Sequence, residues 1–289
     1  MIKKTEKNEL AYVVKDVHEN QMSAYPNLKR ELRYFPAVLE GDGGLDPRER
    51  ARFNMDGYLT GLKGLERGEV GRVRDQFEAL LENEMEAGRG SYSMDGWQHK
   101  VGFIYDLVKT PAILDAVEAL IGPNILCWGT HFFCKLPGDG KRVPWHQDAS
   151  FWPLTPSKCV TAWLAIDDAM VENGCMRIVP RSHLHGQIAF RKSEEDGASV
   201  LNQTVDAVDM YGDEPVDIEL EAGQFSLHSD LILHGSNPNL SGDKRRCGVT
   251  LRYIPTEVAA PSGWRQGESI LCRGEDLSGT WNSAERPVG

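Results

Sequence analysis

After Pro123 the chain changes texture, and that break limits what it can fold into. Upstream, apolar residues recur at helical spacing. Asp46-Pro47 reads as an N-cap followed by a proline at the first helical position. Val70, Val73, Phe77, Leu80, Leu81 and Met85 form one stripe of a longer helix, with Gly88 as its C-cap. A third helix starts at Thr110-Pro111, carries Ile113, Leu114, Val117, Leu120 and Ile121, and stops at Gly122-Pro123. Downstream the pattern is short β-like runs punctuated by turn residues: 124–136, 159–166, 175–179 after the tight-turn pair Asn173-Gly174, 216–220, 224–234 and 247–254. Helices first and many short strands after predict an α+β protein with helices packed on a β sandwich or barrel.

Residues 1–45 have weak periodicity and end in Gly41-Asp42-Gly43-Gly44, and they read as a surface extension or an arm contacting another subunit. Homo-oligomerisation through this extension is therefore expected. Residues 191–214 are polar and acidic and predict a long, mobile loop near a site mouth.

A net charge of -11 disfavours a nucleic-acid partner, which needs a basic face, and disfavours electrostatic attachment to anionic lipid. No apolar run reaches membrane-spanning length. The six cysteines (127, 134, 159, 175, 247 and 272) form no CxxC pair, and no secretory leader pattern precedes them. Reduced, mostly buried thiols in a cytoplasmic enzyme acting on a small molecule are the expectation.

The chemistry centres on Val143-Pro144-Trp145-His146-Gln147-Asp148. On an extended segment His146 and Asp148 point to the same side, because side chains alternate with period two. An imidazole and a carboxylate on one face are two legs of a metal site. His234, in Leu233-His234-Gly235-Ser236, is the candidate third leg of a 2-His-1-carboxylate facial triad, which suits Fe(II) and leaves positions open. His131, His183, His185 and His228 compete as imidazoles; His183 reads as structural, and His228 could face a barrel interior.

With these residues in view, the chain resembles the phytanoyl-CoA dioxygenase family of Fe(II)/2-oxoglutarate-dependent oxygenases over roughly residues 50 to 285. The matching pieces are Asp56-Gly57-Tyr58, Pro144-Trp145-His146-Gln147-Asp148, Trp163-Leu164-Ala165-Ile166-Asp167-Asp168, Glu172-Asn173-Gly174-Cys175-Met176, Pro180-Arg181-Ser182-His183, His234-Gly235-Ser236 with Asn239, and Leu271-Cys272-Arg273-Gly274-Glu275-Asp276. The resemblance implies a double-stranded β-helix (jelly-roll, cupin-like) core over about 123–256. Helical support over about 46–122 and a tail over 257–289 would complete one oxygenase domain, 46–289. It further implies that His146, Asp148 and His234 bind Fe(II), that O2 and 2-oxoglutarate are cosubstrates, and that an arginine and a hydroxyl hold the far carboxylate of 2-oxoglutarate. Arg suits this role because its planar fork pairs a carboxylate bidentately.

Family spacing from His234 reaches Arg245, whereas spacing back from Tyr253 reaches Arg246. An extra residue fits more easily in the turn Leu240-Ser241-Gly242-Asp243 than in a paired strand, which favours Arg246. Ser236 matches the hydroxyl. Trp163 and Trp152 match aromatic positions by the cosubstrate and the substrate mouth. Trp145 reads as a core aromatic.

The implied reaction couples decarboxylation of 2-oxoglutarate, giving succinate and CO2, to hydroxylation of a C–H bond. Asp148 separates a hydroxylase from the family's halogenases, which carry a small residue at that place. Lys100, Tyr105, Lys109, Lys135 and Arg142 are candidate substrate contacts, suited to a small polar, anionic molecule resembling a phosphonate or an amino acid. The alternatives are a non-catalytic metal-binding jelly roll, an oxygenase of secondary-metabolite biosynthesis and, more weakly, a zinc hydrolase.

Overall fold

A computed structural model describes residues 25–38, 43–194 and 196–288. Most of the expected oligomerisation arm, residues 1–24 and 39–42, lies outside the described residues. The helices are α1 (Pro47–Asp56), α2 (Arg67–Glu86), α3 (Gly102–Leu107) and α4 (Pro111–Ile121). The strands are β1 (Tyr58–Lys63), β2 (Ile125–Lys135), β3 (Val143–His146), β4 (Val160–Ala165), β5 (Met176–Ile178), β6 (Arg191–Lys192), β7 (Gln203–Thr204), β8 (Val216–Ile218), β9 (Gln224–Ser229), β10 (His234–Ser236), β11 (Arg246–Pro255) and β12 (Ile270–Arg273).

Local chemistry sets the helix ends. Asp46 accepts from the backbone N–H groups of Arg48 and Glu49, and Glu49 returns a bond to the Asp46 N–H, closing a capping box before Pro47. Gly57 ends α1 at φ 83, where a side chain would run into the His183 ring and Ile232. Thr110 and Pro111 open α4, as the sequence predicts.

The strands form a double-stranded β-helix. The larger antiparallel sheet runs β1-β9-β4-β11-β2-β12 and the smaller runs β3-β10-β5-β8. From β2 to β5 and again from β8 to β11 successive strands alternate between the two sheets, so residues distant in sequence meet across the interior. Central strand β11 shows how sequence directs this. Cys247, Val249, Leu251 and Tyr253 join the core shared with α2, α3 and α4, while Arg246, Gly248, Thr250 and Arg252 face the other way. Burying each Val or Leu contributes about 1.5–3 kcal/mol, so the outward face is anchored and the polar set is directed inward. Phe77 of α2 stacks on Phe132 of β2 at 4.9 Å, fixing the helical layer to the sheet.

Several expectations are revised. The run 224–234 is not one strand: β9 and β10 lie in different sheets, because the chain turns between Ser229 and Leu233 and crosses the barrel. The sheet is not confined to 123–256, since β1 and β12 supply its two edges. Their short, mixed patterns carry no strand signal of their own. Within 191–214 the chain forms the β6–β7 hairpin, and Ala198, Val200 and Val205 hydrogen-bond to Arg142 and Trp145 beside β3. All six cysteines are unpaired, five of them buried. Residues 25–37 hydrogen-bond along the domain, with Arg30 donating to the carbonyls of Ala149 and Trp152 at 2.8 and 2.7 Å. Among the described residues no helix is long and apolar enough to cross a membrane.

Candidate active site

The pairing of β3 with β10 puts His146 directly opposite His234, and their ring centroids lie 4.0 Å apart. Each ring is aimed by the carbonyl two residues before it. His146 Nδ1 lies 2.8 Å from Pro144 O, and His234 Nδ1 lies 3.1 Å from Ile232 O. A carbonyl only accepts, so Nδ1 carries the hydrogen and Nε2 presents its lone pair inward. Both Nε2 atoms face Asp148 Oδ1, at 3.7 and 3.9 Å.

Asp148 is not on the strand as expected: β3 ends at His146 and a 3-10 turn spans Asp148–Ser150. Extended Gln147 between them still brings the two side chains to one side. Its own amide is a clamp, donating to Gly186 O at 2.8 Å and accepting from Ile188 N at 2.7 Å.

The ligand atoms of His146, Asp148 and His234 lie within 4.8 Å of one another and all three residues are buried. Burial works to raise the Asp148 carboxyl, but the surrounding imidazoles of His146, His228 and His234 and the Arg252 guanidinium outweigh it and hold the group well below the usual carboxylate range. Burial, then repulsion from His146, pushes His234 well below the usual imidazole value. A buried carboxylate and two imidazoles whose Nε2 atoms are aimed at it are the donor set a divalent cation needs. Thr161 donates to Asp148 Oδ2 at 3.2 Å, and His228 Nε2 stands 3.7 Å from that oxygen. Neither His228 nitrogen has a hydrogen-bond partner, and the ring supports the carboxylate from behind. His183 is buried against Tyr34, with Nε2 3.2 Å from Asn54 O, away from the triad.

One cavity joins the triad to Ser236, Arg246 and Trp163. Arg246 is buried and, among the described residues, meets no carboxylate. Its Nε donates to Gly174 O at 3.1 Å, Nη1 to Phe133 O at 3.3 Å and Nη2 to Ser236 Oγ at 3.4 Å. Trp163 lies under the guanidinium, 5.5 Å from centroid to Cζ. Its ring occupies the space left by Gly248, where a Cβ would come within 2.1 Å of it. Arg245 points to the opposite side of the sheet and pairs with Asp167 at 2.7 Å and Glu78 at 2.5 Å.

Lys135 is placed unexpectedly. It lies at the Arg246 end, fully buried, with Nζ donating to Ser236 Oγ at 2.6 Å and to Asn237 O. Ser236 thus receives two donors and keeps its own hydrogen for an acceptor in the cavity. Burial, then Arg246, pushes the Lys135 ammonium down to about 6. Replacing it tests this. Lys135→Met, measured by calorimetry, is expected to weaken 2-oxoglutarate binding about tenfold, because Ser236 loses the donor that turns its hydroxyl toward the cavity.

Lys100, Tyr105 and Lys109 do not line this cavity. Tyr105 packs on the helical side of the larger sheet with Lys109 over its ring, because α3 covers the outward face. Arg142 is also off the cavity, bound to Asp196 at 2.6 Å beside the β6–β7 hairpin. Trp152 is buried edge-on to Trp128 at 4.6 Å. Sequence reading missed Arg252 and Thr161, which the structure brings to the triad. The available signal was the polar alternation Arg246, Gly248, Thr250, Arg252 on a strand with an apolar other face.

The sequence pattern of the phytanoyl-CoA dioxygenase family (PhyH) matches residues 53–247. The chain belongs to this family. It is 24% identical over 242 residues to a probable phytanoyl-CoA dioxygenase of Caenorhabditis elegans, spanning 74% of this chain and 77% of that one. It is 32% identical over 168 residues to a probable alpha-ketoglutarate-dependent hypophosphite dioxygenase of Stutzerimonas stutzeri, spanning 56% of this chain and 54% of the relative. The solved non-heme monooxygenase ThoJ, in its apo form, superposes with a TM-score of 0.67 at 31% identity, over 82% of this chain and 87% of that one. Membership makes this chain an Fe(II)/2-oxoglutarate-dependent dioxygenase.

Proposed function

We propose that this chain hydroxylates a C–H bond of a small polar, anionic metabolite. Each turnover consumes one O2 and one 2-oxoglutarate and yields the alcohol, succinate and CO2. His146, Asp148 and His234 hold iron, which when bound supplies the oxygen activation. The observation that carries the reading is one cavity with a pre-aimed triad at its middle and, at one end, a buried arginine without a carboxylate. A purely structural metal site has no use for such a guanidinium. Arg246 and the Ser236 hydroxyl bind the distal carboxylate of 2-oxoglutarate, Lys135 directs that hydroxyl toward it, and Trp163 walls the cosubstrate from solvent. The relative named for hypophosphite supports an oxyanion substrate. Six unpaired thiols support a reducing compartment such as the cytoplasm.

Anaerobic addition of Fe(II) and then 2-oxoglutarate is expected to give a visible charge-transfer absorption, and admitting oxygen to give succinate. Iron binding with neither absorption nor succinate would instead support a non-catalytic jelly roll.

A further inference from the structure

The inward face of β11 carries a second guanidinium. Arg252 stands six residues beyond Arg246, about 20 Å along an extended strand, and lines the same cavity. Its side chain is 9% exposed. Its Cζ lies 5.4 Å from the Trp128 ring centroid and 5.1 Å from that of Trp152. It donates no hydrogen bond to any described residue, and its buried Nε has no partner. Buried arginines ordinarily spend their donors.

The nearest carboxylate is Asp95, whose Oδ1 is 3.5 Å from Arg252 Nη1. Its other oxygen already accepts from Arg265 Nη2 at 2.5 Å. Arg265 Nη1 is likewise buried without a partner. The two Nη1 atoms converge on Gly129, lying 4.0 and 3.6 Å from where a Cβ would stand. Two guanidiniums therefore share Asp95, and the other carboxylate in the field of Arg252, Asp148, is turned to the imidazoles of the triad, so neither gives the Arg252 fork a paired oxyanion. His131, 4.0 Å from Asp95, adds no charge at neutral pH, because burial and then Arg252 push it down to about 4.

We infer that Arg252 is the substrate anchor, binding an oxyanion head group, a carboxylate or a phosphorus acid, on the molecule that is oxidised. This rests on the function proposed above. The planar fork suits two oxygens of such a group. Trp128 and Trp152 cover the guanidinium faces, so the head group meets its edge. Arg252 is also the direct cross-strand partner of Thr161, whose hydroxyl bonds Asp148. An anchor so close to the metal ligands selects a small molecule, its reacting carbon a few bonds from the head group.

The test uses the full chain loaded with Ni(II) and 2-oxoglutarate, which binds without turnover. Ethylphosphonate, propionate and neutral propionamide are titrated while tryptophan fluorescence is followed, to which Trp128 and Trp152 over Arg252 and Trp163 in the cavity wall contribute. At least one oxyanion is expected to saturate at about millimolar or tighter, and propionamide not to. Whichever of the two binds more tightly identifies the head group. Arg252→Gln weakens that binding tenfold or more, while 2-oxoglutarate affinity, read by calorimetry on the same sample, stays within about twofold. If Arg252→Gln does not fold, Arg252→Lys retains the charge but loses the fork, and a change in the ethylphosphonate-to-propionate preference replaces it as the readout. If 2-oxoglutarate binds but no oxyanion does, or if the oxyanion displaces 2-oxoglutarate, the anchor is wrong and the enzyme reading stands. If 2-oxoglutarate itself fails to bind, both fall.

Discussion

Asp148→Ala is expected to abolish succinate formation and to remove iron-dependent stabilisation. In the parent protein a metal at one hundred times its dissociation constant adds about 2.7 kcal/mol to folding stability, visible as a rise in melting temperature. The variant keeps its fold, because Asp148 sits on a short turn clamped by Gln147 rather than in the apolar core. It loses the one carboxylate of the set, leaving two facing imidazoles and no negative charge to offset a dication. Changing a residue that merely supports a ligand typically costs 10–100-fold in metal affinity, so removing the ligand costs more. Thermal melts with and without Fe(II) under argon check this. Equal metal-induced shifts in parent and variant exclude Asp148 as a ligand.

The second large effect separates two adjacent arginines. Arg246→Gln is expected to weaken 2-oxoglutarate binding about 10- to 100-fold, the equivalent of one charge-assisted hydrogen bond at about 1.5–3 kcal/mol. Arg246→Lys restores little, because a single ammonium does not reproduce the fork. Arg245→Gln leaves the affinity unchanged and lowers stability by about 1 kcal/mol, since it breaks a half-buried pair with Asp167 and Glu78. Calorimetry of 2-oxoglutarate binding decides between them. A loss on Arg245→Gln with none on Arg246→Gln reverses the assignment.

Spacing alone left these two arginines in competition; the tertiary structure separates them through strand parity. Pairing of Cys247 with Cys134 and of Arg246 with Lys135 sends Arg246 into the barrel and leaves Arg245 just before the strand, on its outer side. The family's short motifs divide in the same way. Asn173 donates to the carbonyls of Asp168 and Arg245, Asn239 to those of Lys135 and Lys244, and His183 packs under Gly57. These hold turns in place. His146, Asp148, His234 and Ser236 come together in the cavity.

The sequence by itself determined the fold class, the start of α1, both ends of α4 and the three candidate metal ligands. Those depend on local matters: capping chemistry, apolar periodicity, and residue types at short spacing. Only the tertiary structure decided that the chain breaks between His228 and His234 to cross from one sheet to the other. It also decided that Lys135 lies at the Arg246 end of the cavity, bonded to Ser236, and that Lys100, Tyr105 and Lys109 do not line that cavity. Arg252 gained a place beside the triad in the same way. Each of these depends on which face of a strand a long, flexible cation occupies and which strand lies next to it. Register and sheet order fix that, through pairings between residues about one hundred positions apart.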